Sequence, residues 1–133
     1  MNGLVLDTHA VVWALVDRAR LSAAARSAIE SANATGSLVF VATISLVELT
    51  YLIEKGRLPA DVKARLLAAW DDPASNLKPA PLDRDIADQL EHVPRGEVPD
   101  LPDRVIAATA THLGLPLISR DSKLRASGVR TIW

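Results

Sequence analysis

The sequence predicts an α/β fold in three layers, with a mainly parallel sheet of four or five strands flanked by helices. Two observations support this fold class. Short β-branched runs alternate with longer helical patterns, and the first two short runs, GLVL (3–6) and LVFVA (38–42), are continuously apolar, as is typical of strands covered on both faces. Because a length of 133 residues suits one domain, we expect a single domain over residues 1–133.

Local signals justify each strand and helix. Strands are predicted over residues 3–6, 38–42, 115–119 and 129–133, with a short strand near 77–80 inside a loop. Helical patterns cover, approximately, residues 8–16, 22–32, 44–55, 59–70, 83–92 and 103–113. Ser22 and Asp83 are suited to cap the starts of two helices. Gly56 and Gly114 suit the left-handed residue that follows a helix end.

The composition excludes several classes of protein. Hydrophobic residues make up 49% and charged residues 23% of the chain, the balance of a soluble globular protein. The longest apolar run, residues 10–16, is too short to span a bilayer, and no signal-peptide pattern precedes it. The absence of cysteine excludes disulfides and thiolate metal ligands. We therefore expect a cytoplasmic protein with no membrane partner.

Charge and aromatic content limit how the chain could bind nucleic acid. Fifteen basic and sixteen acidic residues give a net charge of −1, whereas binding a long duplex by charge usually needs a basic excess. The three Trp, one Tyr and one Phe are too few for a base-stacking platform. Any nucleic-acid contact should be short and local, which favours an enzyme over a passive binder.

Four acidic residues lie at junctions between predicted elements. Asp7 follows the first strand, and Asp121 lies two residues beyond the strand at 115–119. Asp103 is in the first turn of the helix that Pro102 opens, and Glu48 is one turn into the helix after the second strand. In a parallel α/β fold these positions share the carboxyl edge of the sheet, where ligands bind.

Each acid also has a simpler interpretation. Asp7 could cap a helix, Asp103 could complement a helix dipole, and Asp121 could be a turn residue. Glu48 is harder to explain in this way, because its helix is apolar nearly all round and is predicted to be mostly buried. A buried carboxylate needs a donor or a cation, and no basic residue lies three or four positions away within the helix.

Four carboxylates on one edge would repel one another unless a cation neutralised them. Acidic oxygen ligands without cysteine suit Mg²⁺ or Mn²⁺ rather than zinc. The histidines His9, His92 and His112 lack metal-ligand spacing. His9 could approach the site but is better explained by packing at a helix start. The sequence thus favours a magnesium or manganese site.

Hard divalent metals held by carboxylates most often serve phosphate chemistry. Three basic residues, Arg104, Arg120 and Lys123, fall near the same predicted edge. They could hold the phosphates that flank a scissile bond, or they could be solvated surface charges.

Four segments carry a resemblance to a known family. They are LVLDTHAVVW (4–13), ISLVEL (44–49), DLPDRVIAATA (100–110) and PLISRD (116–121). In order and interval they resemble PIN-domain ribonucleases and, more narrowly, VapC-type toxins of type II toxin–antitoxin pairs. The resemblance covers nearly the whole chain, and DLPDRVIAATA followed by SRD is its most specific part.

The resemblance implies an endoribonuclease dependent on Mg²⁺ or Mn²⁺, with four acidic residues that are both catalytic and metal-binding: Asp7, Glu48, Asp103 and Asp121. Asp7, Glu48 and Asp103 would hold the first ion. Asp121 would bind a second ion or orient the attacking water. Three further residues are possible members of the site or hydrogen-bond partners of its ligands: Thr8, Ser119 and Asp100.

Asp100 matches the first acid of the family's D-P-x-D-R segment, with the proline here displaced by one position. The resemblance also implies homodimers and inhibition by a small cognate antitoxin, whose C-terminal segment lies near the active site. Three aromatic residues on predicted helices, Trp13, Tyr51 and Trp70, are candidates for such contacts, with burial in the core as the alternative.

Two other functions remain as alternatives. A receiver-like Mg²⁺-binding signalling domain would need paired acids after the first strand and a late lysine. The sequence instead has Asp7-Thr8-His9 and Arg120 there. A PIN-like binding module without activity would have no reason to retain four mutually repelling acids.

Overall fold

Five parallel strands form the centre of the molecule in the computed structural model, which describes residues 2–133. Their spatial order is β3-β2-β1-β4-β5. The strands are β1 (Gly3–Leu6), β2 (Leu38–Ala42), β3 (Leu77–Ala80), β4 (Leu117–Ile118) and β5 (Thr131–Ile132). All four neighbouring pairs are parallel. The predicted fold class is confirmed, with five strands.

Seven α-helices connect and cover these strands within residues 2–133. They are α1 (Thr8–Val16), α2 (Ala23–Thr35), α3 (Thr43–Glu54), α4 (Asp61–Asp71), α5 (Arg84–Gln89), α6 (Leu101–Leu113) and α7 (Ser122–Ala126). Two 3₁₀ turns follow α1 and α5, at Arg18–Arg20 and Leu90–His92. None of these helices is long and apolar enough to cross a membrane.

The central strand β1 separates two hydrophobic cores. Successive side chains of a strand point to opposite faces, so Leu4 and Leu6 enter one core while Val5 enters the other. The first core packs β1 against α1, α2 and α4, and the second packs it against α5, α6 and α7. Each fully buried large side chain contributes about 1.5–3 kcal/mol. These cores fix the three layers.

The predicted caps lie where the sequence signals them. Ser22 Oγ accepts a hydrogen bond from Ala25 N at 3.0 Å, and Asp83 Oδ1 accepts one from Ile86 N at 3.0 Å. Gly114 follows α6 with φ of 67°, a left-handed conformation that favours glycine. Two predicted strands are shorter than expected, since β4 and β5 have two residues each. The short helix α7 was not predicted, because SKLRA has no clear apolar period.

The prediction that α3 is mostly buried is wrong. Only Ser45 and Leu49 are buried on this helix, whereas Val47 is 49% and Tyr51 is 60% exposed. One side of α3 contacts α1, α4, α6 and β2, whereas the side that carries Val47 and Tyr51 is exposed among the described residues 2–133. Apolar residues all round a helix therefore do not distinguish a core helix from one with an exposed apolar face.

Candidate active site at the carboxyl edge of the sheet

Three of the predicted acids begin helices at the carboxyl ends of the strands. Asp7 follows β1 and caps α1, with Oδ1 accepting a hydrogen bond from Ala10 N at 2.8 Å. Asp121 caps α7, with Oδ1 accepting from Lys123 N at 2.8 Å and Leu124 N at 3.1 Å. Asp100 caps α6 by accepting from Asp103 N at 3.1 Å. Capping fixes the position of each carboxylate, so a residue can be a helix cap and a member of a shared site at the same time.

Glu48 is held from α3 by a short chain of hydroxyl groups. Thr8 Oγ1 donates to Glu48 Oε1 at 2.5 Å and lies 2.9 Å from Ser45 Oγ. Because the single Thr8 hydroxyl hydrogen goes to Glu48, Ser45 is the donor to Thr8. Ser45 is fully buried and was not predicted as a site residue. Its position three residues before Glu48, on the same helix face, was the available signal.

Ser119 connects two of the acids. Its side chain is fully buried, and its Oγ accepts a hydrogen bond from Asp121 N at 3.0 Å. A hydrogen bond from the Ser119 side chain also lowers the pKa of Asp7. Thr8 is therefore hydrogen-bonded to the Glu48 carboxylate, and Ser119 is hydrogen-bonded to the backbone of Asp121.

A cavity of about 390 Å³ brings the acids together. Four predicted metal ligands and Asp100 line it, together with a few polar and aromatic side chains. The lining residues are Asp7, Thr8, His9, Trp13, Glu48, Asp100, Asp103, Arg120 and Asp121. Arg120 and His9 are the basic residues of this lining.

Two predicted phosphate-binding residues are not brought to this cavity. The Arg104 guanidinium donates from Nε to Val93 O at 3.1 Å and from Nη2 to Leu90 O at 2.9 Å. It therefore anchors the segment that precedes α6 and is not directed to the site. Lys123 is exposed and is absent from the cavity lining. His92 and His112 are also exposed and lie outside it.

The electrostatics of the cavity disfavour the ionised acids. Burial, and then the charges of Asp100 and Asp121, raise the pKa of Asp103 to about 7. Burial also raises the pKa of Asp7 and of Glu48, although Ser119 and Thr8 oppose the shift by donating hydrogen bonds to them. Removing carboxylates from water and placing them near one another both favour the protonated form.

The described cations do not neutralise these acids by direct contact. The ion pairs within residues 2–133 are Asp17–Arg20 and Asp61–Arg65, and both lie outside the cavity, as does the contact between His92 and Glu91. An oxygen-only donor set with unbalanced negative charge fits a hard divalent cation. No three acidic or histidine side chains of the described chain are already arranged to hold a metal ion, so the carboxylates would have to draw closer around one.

An aromatic cluster adjoins the acids. The ring centroid of Trp13 lies 5.6 Å from that of Trp133 and 5.6 Å from that of His9. The guanidinium carbon of Arg120 lies 5.0 Å from the centroid of the Trp13 ring. Trp13 is 7% exposed and belongs to the first core, as expected of the simpler alternative for this residue. Trp133 and the contact with Arg120 were not predicted.

Comparison with known proteins identifies the class that this fold and site define. The PIN domain family profile matches residues 4–128, so the chain belongs to the PIN-domain family. The resemblance drawn from the sequence segments is therefore confirmed.

A curated relative extends this comparison. The chain is 31% identical over 126 residues to Ribonuclease VapC22 of Mycobacterium tuberculosis, covering 95% of this chain and 92% of that protein. At this identity and coverage, the relative supports the family assignment independently of the profile.

Three solved structures share the fold at lower sequence identity. VapBC2 from Rickettsia felis, bound to a promoter DNA fragment, has a TM-score of 0.72 at 15% identity, covering 98% of this chain and 97% of that one. A toxin–antitoxin complex from Klebsiella pneumoniae gives 0.65 at 21%, covering 98% and 96%. FitAcB from Neisseria gonorrhoeae gives 0.62 at 20%, covering 96% and 95%.

Proposed function

We propose that this PIN-domain protein is a metal-dependent endoribonuclease that hydrolyses phosphodiester bonds of RNA. The observation that carries the proposal is the gathering of five carboxylates in one cavity, without an ion pair to any described cation. Membership of the PIN-domain family and a relative named as a ribonuclease support it. Hard cations bound by carboxylates serve phosphate chemistry.

The acidic residues of the cavity have different roles in the proposed reaction. Asp7, Glu48 and Asp103 would hold a Mg²⁺ or Mn²⁺ ion, which when bound supplies Lewis-acid chemistry at the scissile phosphate. Asp121 would orient the attacking water or bind a second ion through Oδ2, because both of its capping bonds use Oδ1. Thr8 keeps Glu48 directed into the cavity through its hydrogen bond.

We further propose that the protein is the toxin of a toxin–antitoxin pair, that it forms homodimers and that it acts in the cytoplasm. The likeness to solved toxin–antitoxin complexes supports an antitoxin partner. The exposed apolar residues Val47 and Tyr51 on α3 and Leu67 on α4 are where we expect protein contacts. Of the three aromatic candidates, only Tyr51 is exposed, while Trp70 packs against the first core.

The receiver-like alternative is inconsistent with the topology. Receiver domains have the strand order 2-1-3-4-5, whereas the order here is 3-2-1-4-5. The catalytically silent module stays an alternative to be tested by activity. It is less favoured because the cavity retains every predicted acid.

The experiment that tests the proposed toxin is controlled expression. Expression of the chain alone should arrest growth of the host, and co-expression with a small adjacent antitoxin gene should relieve the arrest. An Asp7→Asn variant should be harmless at the same level of folded protein. Harmless expression of a wild-type protein that cleaves RNA in vitro would contradict the toxin but not the nuclease.

A further inference from the structure

We propose that Trp13 is a positioning residue for Arg120. Its indole face holds the guanidinium apart from the cavity's carboxylates, so that Arg120 stays free to bind a phosphate of the RNA backbone. This inference rests on the proposed ribonuclease function and adds the residue that determines how the cavity receives its substrate.

The geometry of the contact is that of a cation–π interaction. Arg120 Cζ lies 5.0 Å from the centroid of the Trp13 ring, within the ~6 Å over which such contacts are attractive. Arg120 is exposed, whereas Trp13 is buried and packs against the rings of Trp133 and His9. An exposed cationic side chain therefore rests on a buried aromatic ring.

The position of Arg120 is unexpected on electrostatic grounds alone. Five carboxylates line the same cavity, and guanidinium groups pair readily with carboxylates in bidentate geometry. Arg120 nevertheless takes part in no ion pair within residues 2–133. Trp13 is the described group that offers Arg120 another position.

A side-chain cation that is not paired with the carboxylates could bind the phosphates of an RNA substrate at this cavity. The phosphates of RNA are repelled by the same acids that would bind metal ions, so a substrate needs a positive contact nearby. Arg104 is occupied by two backbone carbonyls, and Lys123 does not line the cavity. Arg120 is thus the one arginine or lysine of the lining, and its planar fork suits a phosphodiester.

The test is a double-mutant cycle on RNA binding. The probe is a fluorescein-labelled single-stranded RNA of mixed sequence, and binding is measured by fluorescence anisotropy in EDTA over a range of salt. Removal of one phosphate contact by Arg120→Ala should lower the slope of log Kd against log salt by about 0.7. Arg130→Ala removes an exposed arginine at the opposite end of the sheet and should leave both Kd and slope unchanged.

Trp13→Leu should weaken binding and lower the salt slope as Arg120→Ala does. Combining the two changes should produce no further loss, because both remove the same contact. Trp13→Phe should restore most of the binding, since a ring remains. Arg120→Lys should bind more weakly than wild type, because a lysine stacks less well on the indole and can turn to the carboxylates.

Additive losses in the Trp13→Leu and Arg120→Ala cycle would overturn the inference, because Trp13 would then act only through the core. Should Trp13→Leu fail to fold, wild-type Kd and salt slope in Arg120→Lys would equally contradict it. The proposed ribonuclease is judged separately, by cleavage of the same RNA in Mn²⁺. Cleavage with an additive cycle would reject only the role of Trp13.

Discussion

The two ends of the sheet carry cavities of the same size and opposite character. Each has a volume of about 390 Å³. At the carboxyl ends of the strands, five acids line the cavity. At the amino ends, the lining is mostly small, polar or apolar, and Arg130 is the only charged side chain that residues 2–133 contribute to it.

This difference shows that topology, rather than overall charge, concentrates the acids. The whole chain is nearly neutral, with fifteen basic and sixteen acidic residues. The carboxyl edge is where strands end and helices begin, and helix starts favour acidic caps and acidic first turns. Asp7, Asp100 and Asp121 meet this local requirement, and the parallel sheet brings them to one place. The acidic N-caps that stabilise single helices thus also form a negatively charged site.

The largest expected effect is on catalysis at the carboxyl end. Asp7→Asn and Asp103→Asn each remove a charged ligand with little change in shape, so RNA cleavage in Mn²⁺ should fall by more than the 10- to 100-fold that outer ligand partners typically cost. EDTA should abolish wild-type cleavage, and added Mn²⁺ should restore it. Asp83→Asn alters an N-cap outside the cavity and serves as the matched control. Full activity of either site variant would contradict the assignment.

A smaller loss should follow when the hydroxyl chain is broken. Thr8→Val keeps the shape of the side chain but removes the donor to Glu48, so cleavage should fall by about 10- to 100-fold. Thr50→Val is the control, because the Thr50 hydroxyl donates only to the backbone carbonyl of Leu46 on the same helix. Equal rates for the two variants, measured with the same RNA, would mean that Thr8 does not orient Glu48.

The two arginines near the site should separate stability from binding. Arg104→Ala removes two hydrogen bonds to backbone carbonyls, and the cost should be about 1.5–3 kcal/mol, the range for bonds to a charged group. Thermal denaturation should show a lower melting temperature for this variant and little change for Arg120→Ala. A reversed result would mean that Arg104, and not Arg120, is the free cation.

The raised pKa values make the metal-free protein sensitive to pH. The pKa of Asp103 is about 7 in the fold and about 3.9 in an unfolded chain. Between these values the folded state binds the extra proton, so stability falls as pH rises through this window and is regained on acidification. Melting temperatures in EDTA should therefore rise from pH 8 towards pH 5, before general acid unfolding, and Asp103→Asn should show a weaker rise. The same slope in both proteins would place the effect elsewhere.

The parts of the molecule that the sequence predicts well depend on local signals. Ser22, Asp83 and Gly114 act within a few residues of themselves, so their caps lie where expected. The sequence also predicts that the acids at strand ends share one edge, because a parallel sheet places the carboxyl ends of all its strands at the same edge.

The parts that could not be predicted depend on distant contacts. Trp13 meets Trp133 across nearly the whole chain, and no sequence period reports this contact. Arg104 reaches Leu90 and Val93 on a preceding turn, although its position beside Asp103 suggested a role in the site. The exposed side of α3 carries apolar residues such as Val47 and Tyr51, so its composition does not distinguish it from a buried side. In these cases no signal within a few residues of the position reports the contact or the exposure that decides its role.

The central claim is that the acids at the carboxyl end form one shared cation site, and melting curves in EDTA and in millimolar Mn²⁺ test it most directly. In EDTA, Asp103→Asn should melt a few degrees above wild type, because the loss of one repulsion is worth on the order of 1 kcal/mol. Mn²⁺ should stabilise the wild type by binding the folded state, stabilise Asp83→Asn equally and stabilise Asp103→Asn much less. An Asp103→Asn protein that is less stable in EDTA and responds to Mn²⁺ as the wild type does would contradict the claim and leave the acids as separate helix caps.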